Sequence, residues 1–81
     1  MQDNWMPLHL MPCGKTARVC ELTAVGNGRR RLQDLGLVKG TQVLSLRRSP
    51  SGDPTAYEFR GAVIALRSED ASKILVELIK L

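Results

Sequence analysis

The sequence predicts a mainly β, partly open five-stranded barrel with two short helical pieces, and three observations carry that expectation. The chain has 81 residues and a mass of 8.9 kDa. A chain of that size buries roughly 63% of its extended surface, enough for one small core and little else. Turn signals recur at Pro12-Cys13-Gly14, Gly26-Asn27-Gly28, Gly36, Lys39-Gly40, Ser49 to Pro54 and Gly61. The segments between them run about five to ten residues, the spacing of a small antiparallel barrel or sandwich. Finally, Thr55, Tyr57 and Phe59 alternate with Ala56, Glu58 and Arg60, the period-two pattern of a strand with one buried face.

Taken in order, Lys15 to Thr23 reads as the first strand. Ala17, Val19 and Glu21 fall on one face, and Arg18, Cys20 and Leu22 on the other. Gly26-Asn27-Gly28 stops it, and Asn27 or Gly28 is the candidate cap of a short helix through Arg29 to Leu35. Leu32 and Leu35 share a face of that helix, and Gly36 suits its left-handed exit. So short a helix needs Leu32, Leu35 and Leu37 packed on a sheet to persist. Thr41 to Arg48 is the second strand, with Val43 and Ser45 on one face and Leu44 and Leu46 on the other. In the turn Ser49-Pro50-Ser51-Gly52-Asp53-Pro54, two prolines limit φ and Gly52 supplies a positive one. After the Thr55–Phe59 strand, Gly61 turns the chain into Ala62 to Arg67, where Ile64 and Leu66 face inward. Ser68 is the candidate cap of a single helical turn with Glu69 and Asp70 at its start, and Ile74 to Ile79 closes as the fifth strand.

Charge and composition exclude several classes of function. Twelve Lys plus Arg against eight Asp plus Glu leave a net charge of +4. Eight of the twelve are arginine, which favours planar contacts to carboxylate or phosphate. Trp5, Tyr57 and Phe59 are the whole aromatic set, too few for a base-stacking platform. A small basic barrel binding nucleic acid is the alternative that the charge permits; the scarcity of aromatics and the spread of acidic residues through the second half disfavour it. The longest apolar run, Ala62 to Leu66, is far short of a membrane span, and no basic cluster precedes the first apolar residues, so no signal peptide is expected. Cys13 and Cys20 are too few for a disulfide-stapled scaffold; a single bridge stays open, and would be ruled out by distance if both lay on one continuous strand. These features describe a reduced, cytoplasmic domain.

The motifs carry little chemistry. Gly14-Lys15-Thr16 has the end of a phosphate loop, but His9 stands where its first glycine belongs and a strand follows it. An ordinary turn into the first strand accounts for it better. His9, Cys13 and Cys20 match no paired-ligand zinc spacing, so no metal site is expected, and a direct transition-metal sensor stays a lesser alternative. Glu69 and Asp70 are adjacent and point apart on a helical turn, and one histidine supports no serine–histidine–acid set. No catalytic residue and no cofactor are assigned. The informative cluster is Arg29-Arg30-Arg31: three cations in a helical first turn oppose its dipole, each at about 0.3–1 kcal/mol when exposed. Asp34 offsets part of this from i+3 of Arg31 or i+4 of Arg30. A solvated arginine face would also account for the cluster; the functional reading is an anion-seeking docking edge, extended by Arg47 and Arg48. Arg60 and Arg67 read as salt-bridge formers at the barrel end, with Glu58 or Glu69 as partners.

As a series of fixed points the chain resembles the bacterial ferrous iron transport protein A family. The carrying residues are Pro7-Leu8, Leu10, Gly14, Ala17, Val19, Arg30-Arg31-Leu32, Asp34-Leu35-Gly36-Leu37, Gly40-Thr41 and Val43. They continue with Pro50, Gly52-Asp53-Pro54, Arg60-Gly61, Ala65-Leu66-Arg67, Ala71 and Ile74. The resemblance spans roughly residues 6 to 76, leaving 1–5 as an N-terminal extension and 6–81 as a single domain. It implies an SH3-like barrel with a helix after the first strand, similar to the C-terminal domain of iron-dependent repressors. It also implies a cytoplasmic accessory protein of ferrous iron uptake, without catalytic residues, whose partner is the cytoplasmic GTP-binding region of the membrane transporter. Arg29, Arg30, Arg31, Asp34, Arg47 and Arg48 are the residues expected to meet that partner. Two departures stand out: Lys39 replaces a turn proline, and Ser45 occupies a position that is commonly apolar.

Overall fold

The computed structural model describes residues 4–80, so residues 1–3 of the expected N-terminal extension lie outside the described residues. Six strands form one antiparallel sheet: β1 Trp5–Pro7, β2 Thr16–Leu22, β3 Gln42–Arg48, β4 Thr55–Phe59, β5 Ala62–Leu66 and β6 Ile74–Leu78. Their order across the sheet is β1-β6-β2-β3-β4-β5, with β1 and β5 at its two edges. A 3-10 turn at Leu8–Leu10 follows β1; helix α1 spans Gly26–Asp34 and the one-turn α2 spans Ser68–Ala71.

The sixth strand was not expected. Trp5, Met6 and Pro7 pair with Glu77, Val76 and Leu75 of β6. Three residues ending in proline carry no period-two signal, so this strand exists because β6 offers it a partner, not because its own pattern demands it.

Two register shifts bend the sheet around its core. One lies between Val19 and Glu21 in the β2–β6 ladder, the other between Ser45 and Arg47 in the β3–β4 ladder. An extra residue on one strand sharpens local twist and re-aims the side chains that follow. In β2 it reverses the expected alternation: Ala17, Val19 and Leu22 are buried, while Glu21 faces solvent. In β4 no shift intervenes, and Thr55, Tyr57 and Phe59 all point inward as the alternation predicts.

The core joins Leu8, Met11, Ala17, Val19, Leu22, Leu32, Leu37, Val43, Tyr57, Phe59, Leu66, Ile74 and Val76. Each fully buried side chain of this kind contributes about 1.5–3 kcal/mol over its exposed state. Ser45 is 1% exposed within this layer, and its hydroxyl donates to the Cys13 sulfur at 3.8 Å.

The helix ends differ from expectation in an instructive way. α1 begins at Gly26, three residues before the arginines, with Val25 as an N-cap that makes no side-chain hydrogen bond. Neither Asn27 nor Gly28 caps it. α2 likewise gets no side-chain cap from its N-cap residue, which is Arg67, and the expected cap Ser68 is instead its first helical residue. Instead Asp53, fifteen residues earlier, accepts from both the backbone N–H (2.8 Å) and the hydroxyl (3.2 Å) of Ser68. A carboxylate delivered from the Ser49–Pro54 turn satisfies an orphan donor of the helix start.

Candidate functional site

α1 stands on the sheet by one residue. Leu32 is buried and Leu35, just past the helix, packs partly against the core, while the rest of α1 is exposed. Its exit runs through Gly36, whose φ of +104° lets the Gly36 N–H reach the Gln33 carbonyl (2.9 Å) and the Leu37 N–H reach the Leu32 carbonyl (3.0 Å). That left-handed step drops Leu37 into the core.

Because the helix starts at Gly26, Arg29, Arg30 and Arg31 lie beyond its first turn. The expected conflict with the helix dipole therefore disappears, and Arg31, in the last turn, is favourably placed for a cation. The three arginines have different tasks. Arg29 donates through Nη1 to the Leu22 carbonyl at 2.8 Å and ties the helix to the end of β2. Arg31 donates through Nη2 to Asp70 Oδ1 at 2.8 Å, joining α1 to α2. The Arg30 side chain makes no hydrogen bond or ion pair among the described residues. Asp34, expected to neutralise Arg30 or Arg31, pairs with neither; a carboxylate on another element won the contact that local spacing had offered.

At the end of β3, Arg48 donates through Nη2 to the His9 carbonyl at 3.0 Å, and Arg47 is exposed. The two arginine groups are not brought into contact. Arg31 reaches α2, Arg48 reaches the 3-10 turn, and α2 packs on that turn, so the groups are connected through this pair. Arg60 and Arg67 form no ion pair with Glu58 or Glu69 among the described residues. Arg60 instead takes a positive φ of 54° in the β4–β5 turn, and its side chain lies over Gly36.

Sequence reasoning missed Trp5. It lines a shallow groove of about 610 Å³ with Arg18, Glu77 and Lys80. The signal was the cross-strand row Trp5, Glu77 and Arg18, which only the pairing of β1 with β6 creates. Among the described residues no three His, Cys, Asp or Glu side chains converge, and both cysteines are free thiols. Burial, then the nearby Glu77 carboxylate, raise the Cys20 thiol above its ordinary value.

The FeoA domain family profile matches residues 6–78. The chain belongs to the FeoA family. It is 34% identical over 74 residues to an Fe(2+) transport protein A/Fe(2+) transporter FeoB fusion protein of Porphyromonas gingivalis, matching 91% of the chain. The chain spans 9% of that relative's length. The FeoA protein of Chlorobium tepidum superimposes with a TM-score of 0.86 and 36% identity, covering 93% of this chain and 71% of that one. The zinc-complexed FeoA of Stenotrophomonas maltophilia, described as a prokaryotic SH3 domain protein, superimposes with a TM-score of 0.80 and 29% identity over 89% of each chain. The FeoA family is one of ferrous iron transport, and the bent six-stranded sheet is its SH3-like fold. No helix among the described residues is long and apolar enough to cross a membrane.

Proposed function

We propose that the chain is a cytoplasmic accessory protein of ferrous iron uptake that docks on the GTP-binding region of the FeoB-type transporter and modulates its activity. The observation that carries this reading is the fusion relative, in which a domain 34% identical to this chain is part of one polypeptide with a FeoB transporter. Fusion fixes two folded units at high effective concentration, which serves a complex that forms between separate chains elsewhere. In this reading modulation acts through binding.

The proposed contact face takes in α1 and the end of β3, two separate arginine groups linked through α2 and the 3-10 turn. Arg30 and Arg47 are its available cations, while Arg29, Arg31 and Arg48 hold the elements in place through Leu22, Asp70 and His9. Asp34 flanks the helix end of this face. Exposed cations at an interface rim act mainly on association rate and salt dependence.

The test is titration of the chain against the transporter's soluble GTP-binding domain, with GDP and with a non-hydrolysable GTP analogue. Reversing Arg30 and Arg47 to glutamate is expected to weaken binding by about tenfold at low salt while the thermal midpoint moves little. Unchanged affinity of that folded double variant would remove the face from the interface. Absence of binding in both nucleotide states would remove the partner.

A further inference from the structure

The two edges of the sheet are treated very differently. β1 is three residues long and ends in Pro7, a residue that cannot donate to another strand. β5, at the other edge, is Ala62-Val63-Ile64-Ala65-Leu66: five residues without charge or proline, in a ladder with β4 that shows no register shift. None of the usual devices that blunt an edge lies within it. Val63 is 63% exposed, and Ala62 and Ala65 are exposed as well.

The hairpin geometry says which backbone groups are free. β4 and β5 are joined by the two residues Arg60 and Gly61, with φ of 54° and 79°. In such a turn the flanking pair, Phe59 and Ala62, is a hydrogen-bonded one. Alternation then assigns Ile64 and Leu66 to the β4 ladder and turns the N–H and C=O of Val63 and Ala65 outward. Neither residue makes any other hydrogen bond among the described residues.

We propose that β5 is a docking strand, adding to the sheet an extended apolar segment of a partner protein that carries acidic residues at its ends. The charge pattern selects this occupant. Arg60 and Arg67 bracket the strand, and neither is in an ion pair among the described residues. Glu58 lies one strand inward, opposite Val63, so an acidic residue is excluded from the middle of the incoming segment and favoured at its ends. A second copy fits badly. Antiparallel pairing that joins Val63 of each copy to Ala65 of the other sets Arg67 opposite Gly61, beside Arg60 of the second chain. Two guanidinium groups then crowd each end of the joint strand, and like charges across a ladder are destabilising. The strand shares no residue with the face proposed on α1, although the Arg60 side chain lies over Gly36 at the exit of that helix, and its test needs no transporter, so either reading can fail alone.

The experiment titrates the full isotope-labelled chain with a capped heptapeptide of alternating valine and threonine ending in glutamate on both sides. The expected result is shifted amide signals and slowed exchange at Val63 and Ala65, and about tenfold weaker binding when lysine replaces both glutamates. Ala65→Pro removes an outward donor without touching the β4 ladder and is expected to abolish binding. Arg67→Glu, which does not alter the strand, is expected to narrow or reverse the preference between the two peptides. No perturbation at Val63 and Ala65 at millimolar peptide, or equal affinity for both peptides, overturns the proposal. A peptide-free dimer that protects the same two amides overturns it in favour of self-pairing.

Discussion

Replacing Gly36 with alanine tests whether the exit of α1 holds the contact face in place. Two costs follow from its surroundings. The backbone at φ +104° lies outside the region an L-residue adopts easily, a strain of about 1–3 kcal/mol. An added Cβ would also collide with Cδ of Arg60, with Nε at 3.1 Å. Arg60 is exposed and its far end can swing aside, so the collision adds a few tenths of a kcal/mol, roughly offset by the smaller unfolded-state entropy of alanine, about 0.4–1 kcal/mol. The net expectation is a loss of about 2 kcal/mol, which for a domain of this size lowers Tm by about 8–16 °C. The assay is thermal unfolding by circular dichroism of Gly36→Ala, Arg60→Ala and the double variant. If backbone strain dominates, most of the loss persists when Arg60 is already alanine. An unchanged Tm for Gly36→Ala would refute the argument from φ. A loss that vanishes in the Arg60→Ala background would refute the ranking of strain above collision.

Three further outcomes are expected. Arg31→Glu breaks an exposed ion pair, with side chains 62% and 26% accessible, and sets a second anion beside Asp70. It should cost about 1 kcal/mol, or about 4–8 °C in Tm, at low salt and less at high salt, whereas Arg30→Glu should barely move the melt. Burial holds the Tyr57 hydroxyl above the ordinary phenol range, so the folded chain keeps this proton to higher pH than the unfolded one. Its contribution is intact below about pH 10 and is lost as pH rises through the folded value, so urea midpoints should fall more steeply at alkaline pH in the native chain than in Tyr57→Phe. Finally, the half-buried Cys20 thiol, raised above its ordinary value, should react with iodoacetamide about tenfold more slowly than exposed Cys13, as read by peptide mass spectrometry.

Sequence by itself determined the elements whose signals are local. Thr55, Tyr57 and Phe59 show their buried face by alternation, because side chains on a strand repeat every two residues and no bulge interrupts β4. Gly36 and Gly52 mark positive-φ steps because no other residue takes them without strain. The ordered run of short motifs from Pro7 to Ile74 was enough to reach the FeoA family. Tertiary structure decided whatever depends on a partner distant in the chain. β1 is a strand only because β6 supplies the ladder. Leu22 turns inward and Glu21 outward because a bulge against β6 shifts the count by one. Asp53 serves the start of α2 from fifteen residues away, and Arg31 prefers Asp70 to the nearby Asp34. The arginine triplet was visible from the start, but which of its members is spent on holding the fold and which is free was not. Hydrogen-bond partners are chosen by proximity in space, and spacing along the chain constrains that proximity only within a turn or two of helix.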